Sequence, residues 1–181
     1  MTIAVVDYGM GNLRSVSQAL EHVAGGRDVV VTADPAAVAA AERVVFPGQG
    51  AMPDCMRELD ARGLRPAVLA AARDKPFLGI CIGLQMLFGH SDEGDVAGLG
   101  ILAGAVRRFP DERMVDRDGQ RLKVPHMGWN RVRQNPHALW AGIADHARFY
   151  FVHSYCVQPA DPSVVTGTTE YGIPFTCAVG R

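Results

Sequence analysis

The sequence has no basic run, no paired cysteines and no long apolar stretch, and each absence removes a class of function. A formal net charge of −1 over 181 residues gives no electrostatic footprint for nucleic-acid phosphates. The densest basic segment, Arg107 to Arg133, is diluted by Asp111, Glu112, Asp116 and Asp118 and reads as a solvated loop. The four cysteines (Cys55, Cys81, Cys156, Cys177) stand far apart with no CxxC spacing. That argues against a zinc site and against a disulfide framework, and fits a reducing, cytoplasmic setting. The opening TIAVVDYG lacks a basic n-region and an apolar h-region, and no apolar run is long enough for a bilayer, so neither signal peptide nor membrane anchor is expected. Gly9 and Gly11 begin a dinucleotide fingerprint, but its third glycine is missing and position 14 is Arg, so no nucleotide cofactor is expected. No cofactor and no metal are expected elsewhere.

What is present is ordinary for one globular domain with a sizeable core: 48% hydrophobic and 20% charged residues. The first half alternates strictly between strand and helix. Strands are expected at Ile3–Val6, Asp28–Val31, Arg43–Phe46 and just after Pro76. Helices are expected at Leu13–Val23, Pro35–Ala41, Ala51–Leu59 and Leu64–Arg73. Such alternation implies an α/β fold with a mostly parallel sheet flanked by helices. After His90 the texture changes. Ser91–Gly104 reads as a loop, and short runs at Ala105–Phe109, Arg121–Val124, Arg131–Arg133, Phe149–Val157, Val164–Thr168 and Thr176–Val179 suggest antiparallel strands added to that sheet. Neither an internal repeat nor a low-complexity segment interrupts residues 1–181.

The stretch that carries chemistry is Pro76–Gln85, PFLGICIGLQ. An apolar strand runs into a tight turn at Cys81, with Gly79 and Gly83 on either side, and continues through Leu84, Met86, Leu87 and Phe88 at helical spacing. This is the pattern of a nucleophile elbow with cysteine at its corner. A sulfur at a helix N-terminus would be biased toward thiolate, whereas a buried structural cysteine is the bland alternative. By elbow geometry the N–H of Ile82 is an oxyanion donor, and the glycine-rich loop Pro47–Gly50, at a neighbouring strand end, offers a second. Gln85 lies one turn beyond Cys81 on the same helix face, suited to holding a small polar substrate. The base is harder to find. Of six histidines only His126, in PHMGWN, and His153, in FYFVHSYCV, sit in suggestive surroundings, and a histidine within a strand is commonly structural.

Taken together, GICIGLQ, PGQG, DYGMGNLRSV, PHMGWN and FVHSY resemble the glutaminase subunits of imidazole glycerol phosphate synthases, a branch of the triad-type (class I) glutamine amidotransferases. The resemblance runs over essentially the whole chain. It implies a flavodoxin-like sheet and a reaction in which Cys81 attacks the side-chain amide of glutamine, forms a glutamyl thioester and releases ammonia. It further implies oxyanion donors at Ile82 and in the Gln49–Gly50 region, and glutamine held by Gln85, His153, Ser154 and Tyr155. The ammonia would pass to a (β/α)8-barrel cyclase partner that makes imidazole glycerol phosphate in histidine biosynthesis, with Asn12, Trp129 and Asn130 at or near the contact. On that reading PHMGWN is an interface element and His126 is not the base.

Two departures from the family pattern stand out. Gln49 occupies a position where the family usually carries Val. The family also ends in a strand, an FHPE-type motif with the triad histidine and glutamate, and a closing helix, whereas these residues stop at Ala178-Val179-Gly180-Arg181. The expectation is therefore one domain, 1–181, lacking its C-terminal end. Two other readings stay open: a non-catalytic partner subunit without the triad, and a different elbow-cysteine α/β enzyme.

Overall fold

The computed structural model describes all residues, 1–181. Its first half builds a four-stranded parallel sheet of β1 (Thr2–Val6), β2 (Asp28–Thr32), β3 (Arg43–Gly48) and β4 (Phe77–Cys81), in the order β2-β1-β3-β4. Residues Ile3–Val6 are buried throughout, as a continuous apolar run requires of a central strand covered on both faces. Helix α1 (Leu13–Val23) packs Leu13, Val16 and Leu20 against Ile3, Val5 and Val45 on one face. Helices α2 (Pro35–Ala40), α3 (Met52–Ala61) and α4 (Arg65–Asp74) cover the other, burying Val38, Met52, Cys55, Leu59, Leu64 and Val68 around Phe46.

The helix starts are written in the sequence. Asn12 Oδ1 accepts from the Ser15 N–H at 3.2 Å, and Asp34 Oδ1 accepts from the Ala36 N–H at 2.8 Å, with Pro35 opening α2. Each satisfies a donor that the first turn leaves free. Because β1 pairs with β2 on one side and with β3 on the other, the strand order reverses between β1 and β3. Open α/β sheets hold ligands beside such a switch, at the carboxyl ends of the strands.

Beyond β4 the chain departs from the sequence expectation. The elbow helix α5 is one turn, Ile82–Gln85, and Phe88 already belongs to strand β5 (Phe88–Ser91). The apolar residues Met86, Leu87 and Phe88 are all buried. Met86 and Leu87 join the core under α3, while Phe88 packs with Val106 and Val157, so burial rather than helical repetition explains their spacing. The segment expected as a loop holds the last residue of β5, all of β6 (Val96–Ala97) and the start of β7 (Leu102–Arg108).

The later strands are β8 (His126–Arg131), β9 (Arg133–Gln134), β10 (Arg148–His153), β11 (Tyr155–Pro159), β12 (Val165–Tyr171) and β13 (Ile173–Val179). They do not extend the parallel sheet. Seven strands form a sheet of their own, β6-β5-β7-β11-β13-β12-β9, and β8 pairs with β10 as a separate ribbon. PHMGWN is thus largely a strand, and Phe149–Val157 is two strands that belong to different sheets, parted at Ser154. Arg121–Val124 forms no strand; it contributes one isolated bridge, Val115 to Arg121, and Pro125 beyond it cannot donate to a ladder. No helix is long and apolar enough to cross a membrane.

Candidate active site

Three strand ends meet at one crevice. The turn after β1 brings Asn12, the loop after β3 brings Gly48, Gln49 and Gly50, and the end of β4 brings Cys81 and Ile82. The crevice encloses about 550 Å³. Its far wall is the β10–β11 corner, His153, Ser154 and Tyr155.

Cys81 sits at φ 59°, ψ −119°, a strained region for a residue with a side chain. Two contacts hold it there. A Cβ built on Gly79 would stand 2.8 Å from the Gly83 carbonyl oxygen, and one built on Gly83 would strike the Phe46 carbonyl oxygen. The glycines therefore let α5 lie directly on β3 and β4, which is the close approach that the spacing implied. The residue is exposed and opens into the crevice, but protein on its remaining sides thins the solvent. Burial pushes its thiol pKa up, and the Ile82 N–H pulls it partly back. The expectation of a thiolate at rest is therefore corrected. With only one turn of α5 behind it, the helix-end field does not offset desolvation.

Gln85 is buried at 7% exposure, lines the crevice, and its Oε1 has no hydrogen-bond partner. A buried amide oxygen left unpaired costs about 1–3 kcal/mol, a cost that a donor entering the crevice would offset. Its surroundings also include a second, largely apolar cavity of about 330 Å³ lined by Ile80, Leu84, Trp140 and Phe175. That space holds few polar groups and sits behind the elbow, whereas the larger crevice has the loop amides.

The two candidate histidines form a relay rather than a base. His153 lines the crevice, yet its Nδ1 lies 2.8 Å from the Tyr155 carbonyl and its Nε2 lies 3.1 Å from His126 Nδ1. The carbonyl can only accept, so His153 donates from Nδ1 and accepts at Nε2 from His126 Nδ1–H. Burial pushes His126 down to about 4, with the His153 ring adding to it, and burial lowers His153 as well. His126 stacks on Tyr171 and Phe151 and does not reach the crevice. Both rings are neutral structural residues, and neither is available to take the Cys81 proton.

Trp129 stands 67% exposed on β8, beside Met127 and facing Tyr150 and Val152 across the ribbon. The four make one unpartnered apolar face. Asn130 points the other way, and its Nδ2 donates to the Glu170 carbonyl at 2.6 Å. Asn12 borders the crevice while capping α1. Sequence reasoning missed Glu93. It is the sole charged residue lining the crevice, and one carboxylate oxygen accepts from the Met52 N–H at 2.8 Å, capping α3, which has no side-chain cap of its own. The signal was the uncapped helix start at Ala51-Met52.

The family model described as "Glutamine amidotransferase class-I" matches residues 4–179. The chain is 79% identical to the imidazole glycerol phosphate synthase subunit HisH of Dechloromonas aromatica, over 99% of this chain and 84% of that one. It is 68% identical to the HisH subunit of Aromatoleum aromaticum, over 99% and 85%. A solved glutamine amidotransferase shares the fold at a TM-score of 0.66 and 13% identity, covering 96% of this chain and 87% of that one. On the match of nearly its whole length, this chain belongs to the class-I glutamine amidotransferases.

Proposed function

We propose that this chain is the glutaminase half of a two-subunit imidazole glycerol phosphate synthase, hydrolysing glutamine to glutamate and supplying ammonia for histidine biosynthesis. The observation that carries the reading is the convergence on one crevice of a strained, exposed cysteine and a buried, unpartnered glutamine oxygen. Cys81 Sγ attacks the side-chain carbonyl carbon of glutamine, and the carbonyl electrons move onto oxygen. The Ile82 N–H and an amide of the Gln49–Gly50 loop stabilise that charge. When the tetrahedral centre collapses, the nitrogen takes up the proton that the Cys81 thiol gave up on attack and leaves as ammonia, and a glutamyl thioester remains, which water then cleaves to glutamate and the free thiol.

Recognition follows the same chemistry. The Gln85 Oε1 accepts from the amide nitrogen or ammonium of the substrate, the Glu93 carboxylate supplies the charge that an α-ammonium seeks, and the His153–Tyr155 corner closes the far side. The family gives the role of base to a His–Glu pair, and the relay-bound His126 and His153 do not take that role here. The free thiols suit a reducing cytoplasm. The partner is a (β/α)8-barrel cyclase, docked where Trp129 leaves an apolar face open and near Asn12; Asn130 contributes by holding the ribbon to Glu170.

The test is steady-state glutamate release by the subunit with its partner subunit bound. Cys81→Ala is expected to abolish turnover. Turnover surviving that change refutes the nucleophile.

A further inference from the structure

We propose that Tyr8 and Cys55 form a buried two-donor brace that sets the direction of the Gln49–Gly50 peptide, and so decides where the Gly50 N–H points. The inference deepens the glutaminase reading above and rests on it.

Both residues are fully buried and neither lines the crevice, so neither touches substrate. The Tyr8 hydroxyl donates to the Pro47 carbonyl at 3.0 Å, and the Cys55 thiol lies 3.6 Å from the Gln49 carbonyl. These are alternate carbonyls of one short loop, each held from the protein interior. The intervening Gly48 is packed too closely for a side chain, since a Cβ there would stand 2.6 Å from the Tyr8 oxygen and 2.8 Å from the Gly83 nitrogen. In a trans peptide the carbonyl and the next N–H point in opposite directions. Drawing the Gln49 carbonyl inward, toward α3, therefore turns the Gly50 N–H outward, to the side where Gly50 lines the crevice with Cys81. Gly50 itself sits at φ 108°, a conformation open to glycine, so the loop has other accessible arrangements. Two interior donors select one of them. The Tyr8 and Cys55 groups are also close enough to perturb each other, and burial keeps both protonated, as donors must be.

The experiment compares Tyr8→Phe, Cys55→Ala and Cys55→Ser in the partner-bound, full-length subunit, with glutamate release read as kcat and KM separately. A donor that orients an oxyanion amide acts in the transition state, so kcat is expected to fall about tenfold in Tyr8→Phe and less in Cys55→Ala, with KM unchanged. Cys55→Ser, which keeps an O–H donor, recovers most of the loss. Thermal unfolding, run in parallel, separates this from general loosening, which would not be repaired by a hydroxyl. Wild-type kcat in both Tyr8→Phe and Cys55→Ala overturns the brace, as does a rise in KM alone or a serine variant as slow as alanine. If Cys81→Ala still releases glutamate, the glutaminase reading fails instead, an outcome the brace variants cannot mimic.

Discussion

Replacing Gly83 with alanine isolates the elbow from everything else in the site, because residue 83 contacts backbone and not substrate. A Cβ at this position lands on the Phe46 carbonyl oxygen, with the Phe46 carbonyl carbon at 2.9 Å and the Pro47 carbonyl carbon at 3.3 Å. None of these atoms can rotate away, since all are main chain of β3. Carbon atoms settle at about 3.5–4.0 Å, so α5 must back off β3 by roughly 1 Å, carrying the Ile82 N–H and Cys81 with it. Overpacking of this kind costs about 1–3 kcal/mol, which for a chain of this size lowers Tm by about 2–12 °C. The kinetic penalty is larger. A misplacement of about 1 Å costs on the order of 10²-fold in rate, the scale of losing one oxyanion donor. Glutamate release by the partner-bound enzyme, with thermal unfolding on the same preparation, measures both. A Gly83→Ala variant with wild-type kcat would refute the argument that close packing of α5 on β3 aims the nucleophile.

Four further outcomes follow from the same geometry. Gln85→Leu removes the unpaired Oε1, so it is expected to leave stability unchanged or improved while raising KM at least about tenfold; unchanged KM would detach Gln85 from substrate. The rate of Cys81 alkylation by iodoacetamide, followed by peptide mass in the free subunit, should rise with pH through a midpoint above that of an unperturbed cysteine. A midpoint below it would mean that the Ile82 N–H outweighs burial. His126 is held neutral in the fold, with its pKa near 4 against 6.5 when unperturbed, so the unfolded chain binds the extra proton first. Stability is therefore full above pH 6.5 and is lost as pH falls toward 4, by about 2 kcal/mol after allowing for partial screening; denaturant midpoints of His126→Phe should show a flatter acid limb, and an unaltered limb contradicts the assignment. Trp129→Ala should weaken partner binding by about thirtyfold in calorimetry, and unchanged affinity would move the docking face elsewhere.

How much of this was legible in the sequence depended on the range of the interaction that decides each feature. The elbow was readable because its determinants, Gly79, Cys81 and Gly83, lie within five residues, and the close approaches run from Gly79 to Gly83 and from Gly83 to β3. Gln85 was readable for the same reason: one helical turn is a local rule, and even a one-turn helix obeys it. The first four strands and α1 followed from periodicity and caps that sit inside the element itself. The second sheet was not, because its order, with β9 paired to β12 and β5 running parallel to β7, is set by contacts between residues far apart in the chain. PHMGWN was not read as a strand because its alternation of Met127 and Trp129 with His126 and Gly128 makes sense only once β10 lies beside it. Glu93 went unseen for the sharpest reason. A carboxylate in a glycine-rich acidic stretch has the composition of solvent, and nothing within that stretch reveals that Ser91 Oγ accepts from its N–H at 3.1 Å while its side chain caps a helix 41 residues away. The expectation of a resting thiolate failed by the opposite route. It applied a local field, the helix end, to a group whose ionisation is governed by the depth of a crevice assembled from three strand ends. Glu93→Gln separates these scales in one protein. It keeps an oxygen to accept the Met52 N–H and removes the crevice's one charge, so α3 should remain capped and Tm should hold, while KM for glutamine rises and kcat stays. A fall in Tm with unchanged KM would make Glu93 a cap and nothing more.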